Sequence, residues 1–494
     1  MGDDRLPEKT RRRLRALHGQ QLSFAALHGQ AGMTRDGALE FAASHRDRFL
    51  ETLFQALAIP SISAQGIGVL EGAEFLIKEL ESAGFNARLF ETRGQPVVFG
   101  EVSAARSNAP TVLFYGHYDV QPAEPLDLWA SPPFEPVIRN DRVYGRGTAD
   151  NKGQHLAHVF AVEAYQQTVG GPPVNVKIVL EGEEESGSPH MDAFVQAHPS
   201  LLACDCVYTA DGGFDRTGRP IVCLGVRGTI GVELSLRTAA RDVHSGNFGN
   251  LVSDPARRMA ELITSMHDDE GRISIEGFYD DVRPPTESEL ELCSALPYDP
   301  DALASELGLS KPLAKTPVDY GRAIMFEPTC TVTGISSGYT GEGMKTIVPG
   351  RAIAKLDFRL VADQRPPDIF TKVKSHVLAH DREVEVRAVG AMRPSRSSPG
   401  AAVVHTIVGA VRDARGSEPI VVPALGGSLP DAVWTQTLGV PSVIVPYANH
   451  DAANHAPNEN LRLDAFFAGI DTTIWVLDAL AHHSGAPDHG DEPL

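Results

Sequence analysis

Five short segments place histidine or carboxylate side chains directly beside apolar runs. FYGHYD carries His117 and Asp119, GRGTADNKG carries Asp150, EGEEESGS packs four carboxylates into five residues, YTADGG carries Asp211, and NHAPNEN carries His455. Singly, each has an ordinary structural explanation: Asp150 as a helix N-cap, His117 as a satisfied core histidine, Asp119 as a turn residue, the glutamates as a solvated acidic turn. Together, two imidazoles and several carboxylates form a ligand set for borderline divalent metals, zinc first, with manganese or cobalt as alternatives. A carboxylate can bridge two ions and an imidazole cannot, so one central Asp flanked by His, Asp and Glu suits a dinuclear site. A further glutamate near the metals, not itself a ligand, would act as general base toward a bound water. Spacing does not choose that base from Glu183, Glu184 and Glu185.

These residues need elements that gather them on one rim. The runs PTVLFYGH, VNVKIVLE, CDCVYTAD and SVIVPY alternate with helical patterns over about 39–57, 69–80, 151–167 and 463–480. Alternating strands and helices predict an α/β fold with a mostly parallel, buried sheet and helices on both faces, and ligands of such sheets collect at the carboxyl ends of the strands. Between about 226 and 394 the pattern changes: GVELSLRTA and AIAKLDFRLVA alternate apolar and polar residues, with helical PARRMAELITSMH between them. That predicts an inserted α+β domain with an antiparallel sheet covered on one side. The expected organisation is a basic arm over 1–35, a first catalytic part over 36–225, the insert over 226–394, and a second catalytic part over 395–494. Within the insert, 270–315 reads as an exposed excursion.

With 42% hydrophobic residues and a formal charge of −20, the chain reads as a globular protein whose sign argues against nucleic acid and anionic membranes as partners. Its five cysteines are scattered, apart from one C-x-C pair, and read as reduced thiols of a cytoplasmic protein. No apolar run reaches the length of about 18 residues needed to span a membrane.

The five segments, in this order, resemble the M20 family of metallopeptidases, in particular its carnosinase-like dipeptidases. The resemblance implies a zinc-exopeptidase-like fold interrupted by a lid and dimerisation domain. It implies two divalent ions per subunit bridged by Asp150, one completed by His117 and Asp211, the other by Glu185 and His455. It also implies Glu184 as the base and Asp119 as the carboxylate orienting His117. RDVHSGNFGN resembles the segment whose histidine, here His244, reaches a partner subunit's active site to stabilise the oxyanion. Arg359, with Gly427 and Ser428 of ALGGSLP, matches the positions that hold the substrate's carboxylate. Asn151 departs from the pattern, since many relatives have Asp there. The implied function is hydrolysis of dipeptides or short peptides by a homodimer. The alternatives are an N-acyl amino acid deacylase with the same site and, in another class, a non-catalytic binding protein.

Overall fold

The computed structural model describes residues 30–311 and 313–483. Most of the expected N-terminal arm, 1–29, lies outside the described residues. Two compact units emerge: the first holds the described residues up to Leu224 with Ser397–Val422 and those from Val433 on, the second Gly225–Arg396 with Pro423–Ala432.

The first unit opens with helices α1 (Gln30–Ser44), α2 (Arg46–Leu57) and α3 (Val69–Ser82), then strands β1 (Asn86–Phe90), β2 (Val97–Val102) and β3 (Thr111–His117). Helix α4 (Gly153–Val169) leads to β4 (Asn175–Glu181), β5 (Cys206–Thr209) and β6 (Ile221–Cys223). The second unit contributes β7 (Gly228–Arg237), α5 (Pro255–Thr264), β8 (Thr329–Ser337), β9 (Arg351–Leu360), α6 (Pro366–His380) and β10 (Glu385–Met392). The chain then returns through α7 (Ala402–Arg415), β11 (Ile420–Val422), β12 (Ser442–Ile444) and α8 (Leu463–Ala481).

In the first unit eight strands form one sheet in the order β1-β2-β4-β3-β5-β12-β6-β11. The four central strands, β4, β3, β5 and β12, are mutually parallel, while β1 and β2 run antiparallel at one edge. Both faces of the centre are dry. Successive side chains of a strand point to opposite faces, and β3 shows it: Tyr115 lies against Trp434 on one face, while Phe114 stacks on His158 of α4 on the other. Trp434 is fully buried, and truncating so large a core side chain costs about 3–5 kcal/mol.

The expected single helix over 39–57 is two helices broken at His45, and the first begins at Gln30, inside the stretch expected to be an arm. Tertiary contact explains the extension. The Arg35 guanidinium stacks over Trp475 of α8 at 3.7 Å and pairs with Asp478 at 3.2 Å.

The second unit is a four-stranded antiparallel sheet, β8-β9-β7-β10. One face of β7 (Ile230, Val232, Leu234, Leu236) and one face of β9 (Ala352, Ala354, Leu356, Phe358, Leu360) are buried against Met259 and Leu262 of α5 and Ile369, Val373 and Val377 of α6. Helix α5 starts where its sequence says: Asp254 caps the amides of Ala256 and Arg257, and Pro255 follows at the first turn. The 270–315 segment is largely exposed, as its composition suggests, except at its start. Ile273, Ile275 and Phe278 are buried in this core, and two short helices, Glu287–Ser294 and Pro300–Glu306, follow.

Candidate metal centre

Strand β3 delivers His117 as its last residue, and Gly116 before it is a packing necessity. A β-carbon there would lie 2.7 Å from His155 Cβ and 2.9 Å from Asn151 Oδ1, so only glycine lets the strand approach the start of α4 this closely. The His117 Nδ1 faces the Asp119 main-chain oxygen at 3.1 Å and its carboxylate at 3.4 Å. With Nδ1 committed to that main-chain oxygen, Nε2 is the ring nitrogen left for an ion, and it faces Asp150 Oδ1 (3.0 Å) and Asp211 Oδ2 (3.5 Å).

Asp150 sits in the turn that enters α4, with extended backbone angles and a cis bond to Asn151. Its second oxygen, Oδ2, lies 3.1 Å from His455 Nε2, and Glu185 Oε2 lies 3.2 Å from the same nitrogen. Two three-donor clusters thus share Asp150: one with His117 and Asp211, the other with Glu185 and His455. Four tetrahedral donors at about 2.1 Å from a zinc ion stand about 3.4 Å apart. The four distances from imidazole nitrogen to carboxylate oxygen, 3.0, 3.5, 3.1 and 3.2 Å, fit that spacing.

The charge balance agrees. Among the described residues, Asp150, Asp211, Glu184 and Glu185 form ion pairs only with the two imidazoles. Buried carboxylates without a cation are costly. Burial, reinforced by neighbouring carboxylates, raises Glu184 well above the usual range and raises Asp211 and Glu185 as well. Burial also pulls the His117 imidazole down, but bonds to Asp119, Asp150 and Asp211 outweigh it and hold it well above its ordinary value. His455, bonded to Asp150 and Glu185, rises to about 10. Burial would raise Asp150 as well, but bonds to His117 and His455 outweigh it and hold the shared carboxylate below its usual range, so the set offers an ionised bridge and suits divalent cations.

The acidic turn after β4 resolves residue by residue. Glu181 is buried and bonded to Tyr115 and Ser188, and Glu183 bonds His190. Glu185 belongs to the second cluster and is held by Gln121 Nε2 at 2.9 Å. Glu184 belongs to neither cluster, its Oε2 standing 4.0 Å from His117 Nε2. The fully buried Asp119 carboxylate accepts the amides of both Glu184 and Glu185 at 3.1 Å. One side chain therefore links the His117 ring to the turn carrying the two glutamates.

Several positions were not foreseen. Glu459, fully buried, accepts the amides of Gly147, Ala149 and Asp150 and pairs with Arg146 at 2.8 Å. It fixes the turn that aims Asp150. Its sequence signal was slight, an acid four residues after His455 in NHAPNEN. Lys152 donates to the carbonyls of Ala56 and Ile59 at the end of α2, and burial lowers it to about 7. Asn151 Nδ2 donates to the Ala210 carbonyl at 2.7 Å, a bond an ionised Asp cannot make. The His455 loop is held in left-handed conformations, φ +58° at Ala453 and +60° at His455, which cost a non-glycine residue about 1–2 kcal/mol each. Asn460 steadies the loop by donating to the carbonyls of Asp451, Ala452 and Asn458. His155 and His158 are buried packing residues, and His450 is exposed.

The remaining candidates lie in the second unit. Arg359 donates to Asp357 (2.9 Å) and to Ser428 Oγ (3.1 Å), with the exposed Gly427 next in sequence. His244 is exposed, and its Nδ1 accepts the Gly246 amide at 3.0 Å, which leaves the proton on Nε2. No hydrogen bond joins it to Arg359 or Ser428 among the described residues.

Known proteins resemble the chain over most of its length. A Cys-Gly metallodipeptidase of Schizosaccharomyces pombe is 29% identical over 91% of this chain and 99% of its own. A Beta-Ala-His dipeptidase of Rattus norvegicus is 26% identical over 92% of this chain and 97% of its own. The crystal structure of an M20 family metallo-carboxypeptidase from Sulfolobus solfataricus superimposes with a TM-score of 0.82 at 38% identity, covering 88% of this chain and 99% of that one. With residues 113–476 also matching the family model, the chain belongs to peptidase family M20/M25/M40.

Proposed function

We propose that this protein is a metal-dependent dipeptidase that cleaves the amide bond beside a free carboxylate. The observation that carries the reading is the pair of three-donor clusters sharing Asp150, with Glu184 left over beside them. His117, Asp150 and Asp211 would hold one divalent ion and Asp150, Glu185 and His455 the other. Zinc is the ion the donor set favours, and manganese or cobalt would fit it. Such ions, when bound, supply a water nucleophile at neutral pH and polarise the scissile carbonyl. Glu184 takes the proton of the attacking water and returns it to the leaving amine, the task of a carboxylate beside but outside the two donor clusters. Asp119 keeps the His117 ring proton on Nδ1 and orients the ring.

Arg359, Ser428 and Gly427 are assigned to the substrate's carboxylate, a task suited to a guanidinium. His244, with its proton on Nε2, is a ready donor to an oxyanion, in this reading that of a partner subunit's substrate. The homodimer this requires is supported by β8, an edge strand whose Val332 and Ile335 are 40% and 58% exposed. The five free cysteines and the lack, among the described residues, of any helix long and apolar enough to cross a membrane accord with a cytoplasmic location.

The similarity to a metallo-carboxypeptidase favours a second reading, removal of C-terminal residues from longer peptides. The test is hydrolysis of Cys-Gly, β-Ala-His, longer peptides and N-acyl amino acids by metal-free protein titrated with zinc, manganese or cobalt. Glu184→Ala is assayed in parallel. Cleavage confined to dipeptides, lost by about a hundredfold or more in the variant while the ions still bind, is the expected outcome. Cleavage of longer peptides selects the carboxypeptidase reading, and turnover of N-acyl amino acids alone overturns both.

A further inference from the structure

The second unit carries a guanidinium that the assignments above leave without a task. Arg227 directly precedes β7, and the register of β7 against β9 sets Thr229 opposite Arg359. Residues two apart on a strand share a face, so Arg227 is the diagonal neighbour of Arg359 on the side of the sheet away from the core. Gly228, Ile230, Phe358 and Leu360 point the other way and are buried.

The segment carrying Ser428 is fastened to this spot. The Arg227 amide donates to the Leu425 carbonyl (3.0 Å), the Leu425 amide to Gly225 (2.8 Å), and Arg227 Nε to Gly426 (3.1 Å). Both guanidiniums therefore rest on one short stretch, 426–428, which Arg359 reaches through Ser428.

The charges do not balance. Two guanidiniums face one carboxylate, Asp357, which bonds Arg359 and Thr229. Among the described residues Arg227 has no carboxylate partner, and its one side-chain bond goes to a neutral carbonyl. Each guanidinium has five donors, and most of those here are uncommitted. Partial burial, and then repulsion from Arg359, lowers Arg227 from its ordinary value. An arriving anion relieves both effects.

We propose that Arg227 and Arg359 together form a two-guanidinium seat for the substrate's free carboxylate, with Arg227 the residue that sets the preference for an acid over an amide terminus. The proposal rests on the dipeptidase reading for the identity of its ligand, while the seat itself is a property of the second unit. Arg359 is anchored on Asp357 and Ser428 and Arg227 on Gly426, so the free edges are held before ligand arrives. Such preorganisation favours a planar carboxylate over a neutral amide, which offers one acceptor oxygen and no charge.

The test uses the metal-loaded full chain, with Arg227→Gln, Arg227→Lys and wild type assayed on a dipeptide and on its C-terminal amide. Arg227→Gln is expected to raise KM for the acid by about 10- to 100-fold, the loss typical of one charge-assisted bond pair, with kcat within a few-fold. The acid-over-amide ratio of kcat/KM falls by the same factor, and Arg227→Lys recovers part of it. A ratio unchanged in Arg227→Gln overturns the proposal, as does an equal loss on acid and amide. Calorimetric titration of metal-free wild type and Arg227→Gln with glycine separates the two readings. If wild type cleaves no dipeptide, the dipeptidase reading fails, yet weaker glycine binding by Arg227→Gln still supports the seat and unchanged binding still overturns it. Arg227→Lys, which keeps the charge, guards against misreading a folding defect.

Discussion

The two units leave charge of opposite sign uncompensated. In the first, Asp150, Asp211, Glu184 and Glu185 are turned toward one another with only two imidazoles between them. In the second, carboxylates withdrawn from water meet guanidiniums, as Glu289 meets Arg396 and Asp381 meets Arg258 and as Glu459 meets Arg146 in the first unit, but the surplus, at Arg227 and Arg359, is positive. A buried pair that closes on itself is structure, whereas a cluster with charge left over asks for a partner of the opposite sign. By that rule the first unit is built to receive cations and the second an anion.

The contrast breaks most sharply at Asp150. Asp150→Ala removes the donor both clusters share, and turnover is expected to fall beyond the roughly ten-thousandfold that a lost proton shuttle can cost, with both ions gone by metal analysis. Retention of two tightly bound ions would refute the shared-ligand arrangement. Glu459→Gln has a smaller effect. It removes one acceptor from the turn that aims Asp150 and leaves Arg146 buried opposite a neutral group, so ion affinity in chelator competition should drop by about 10- to 100-fold. Unchanged affinity would reduce Glu459 to a packing role.

The smallest effect tests the self-contained pairs of the second unit. Burial would raise the Glu289 carboxyl, but bonds from Arg396 and Thr286 outweigh it and leave it below its usual value. A depressed carboxyl stabilises the fold above its unfolded value, about pH 4.3, and that contribution is lost as pH falls through the folded value. Acidification should therefore destabilise this unit in urea titrations near pH 3–4 relative to pH 6, and Glu289→Gln should flatten the dependence. An equally steep loss in the variant would place the acid sensitivity elsewhere.

What the sequence reveals follows from how far a residue's role reaches. His117 and Asp211 stand at or just beyond the ends of short continuous apolar runs, which announce buried strands, and His455 follows another such run by a short loop. The choice among Glu183, Glu184 and Glu185 is invisible to spacing because it depends on the short turn over Glu184–Ser186 and on Asp119 capturing two of its amides. Glu459 is harder still, since it serves main-chain amides 309 to 312 residues away, which have no side-chain identity to read. Composition read the exposed bulk of 270–315 correctly and concealed only its start, where Ile273, Ile275 and Phe278 reach a core among Pro, Asp and Glu. The start of α1 likewise depends on Trp475 and Asp478 far along the chain.

The long reach of His455 and Glu459 also bears on the protein's birth. Asp150 meets His455 across 305 positions, and the turn that aims it awaits Glu459. The central sheet too has a vacancy between β5 and β6 until β12 arrives. A nascent chain on the ribosome therefore carries His117, Asp150 and Glu185 before His455 exists to complete the second donor cluster. A product stalled before residue 455 therefore lacks both the imidazole of the second cluster and the acid that holds the Asp150 turn.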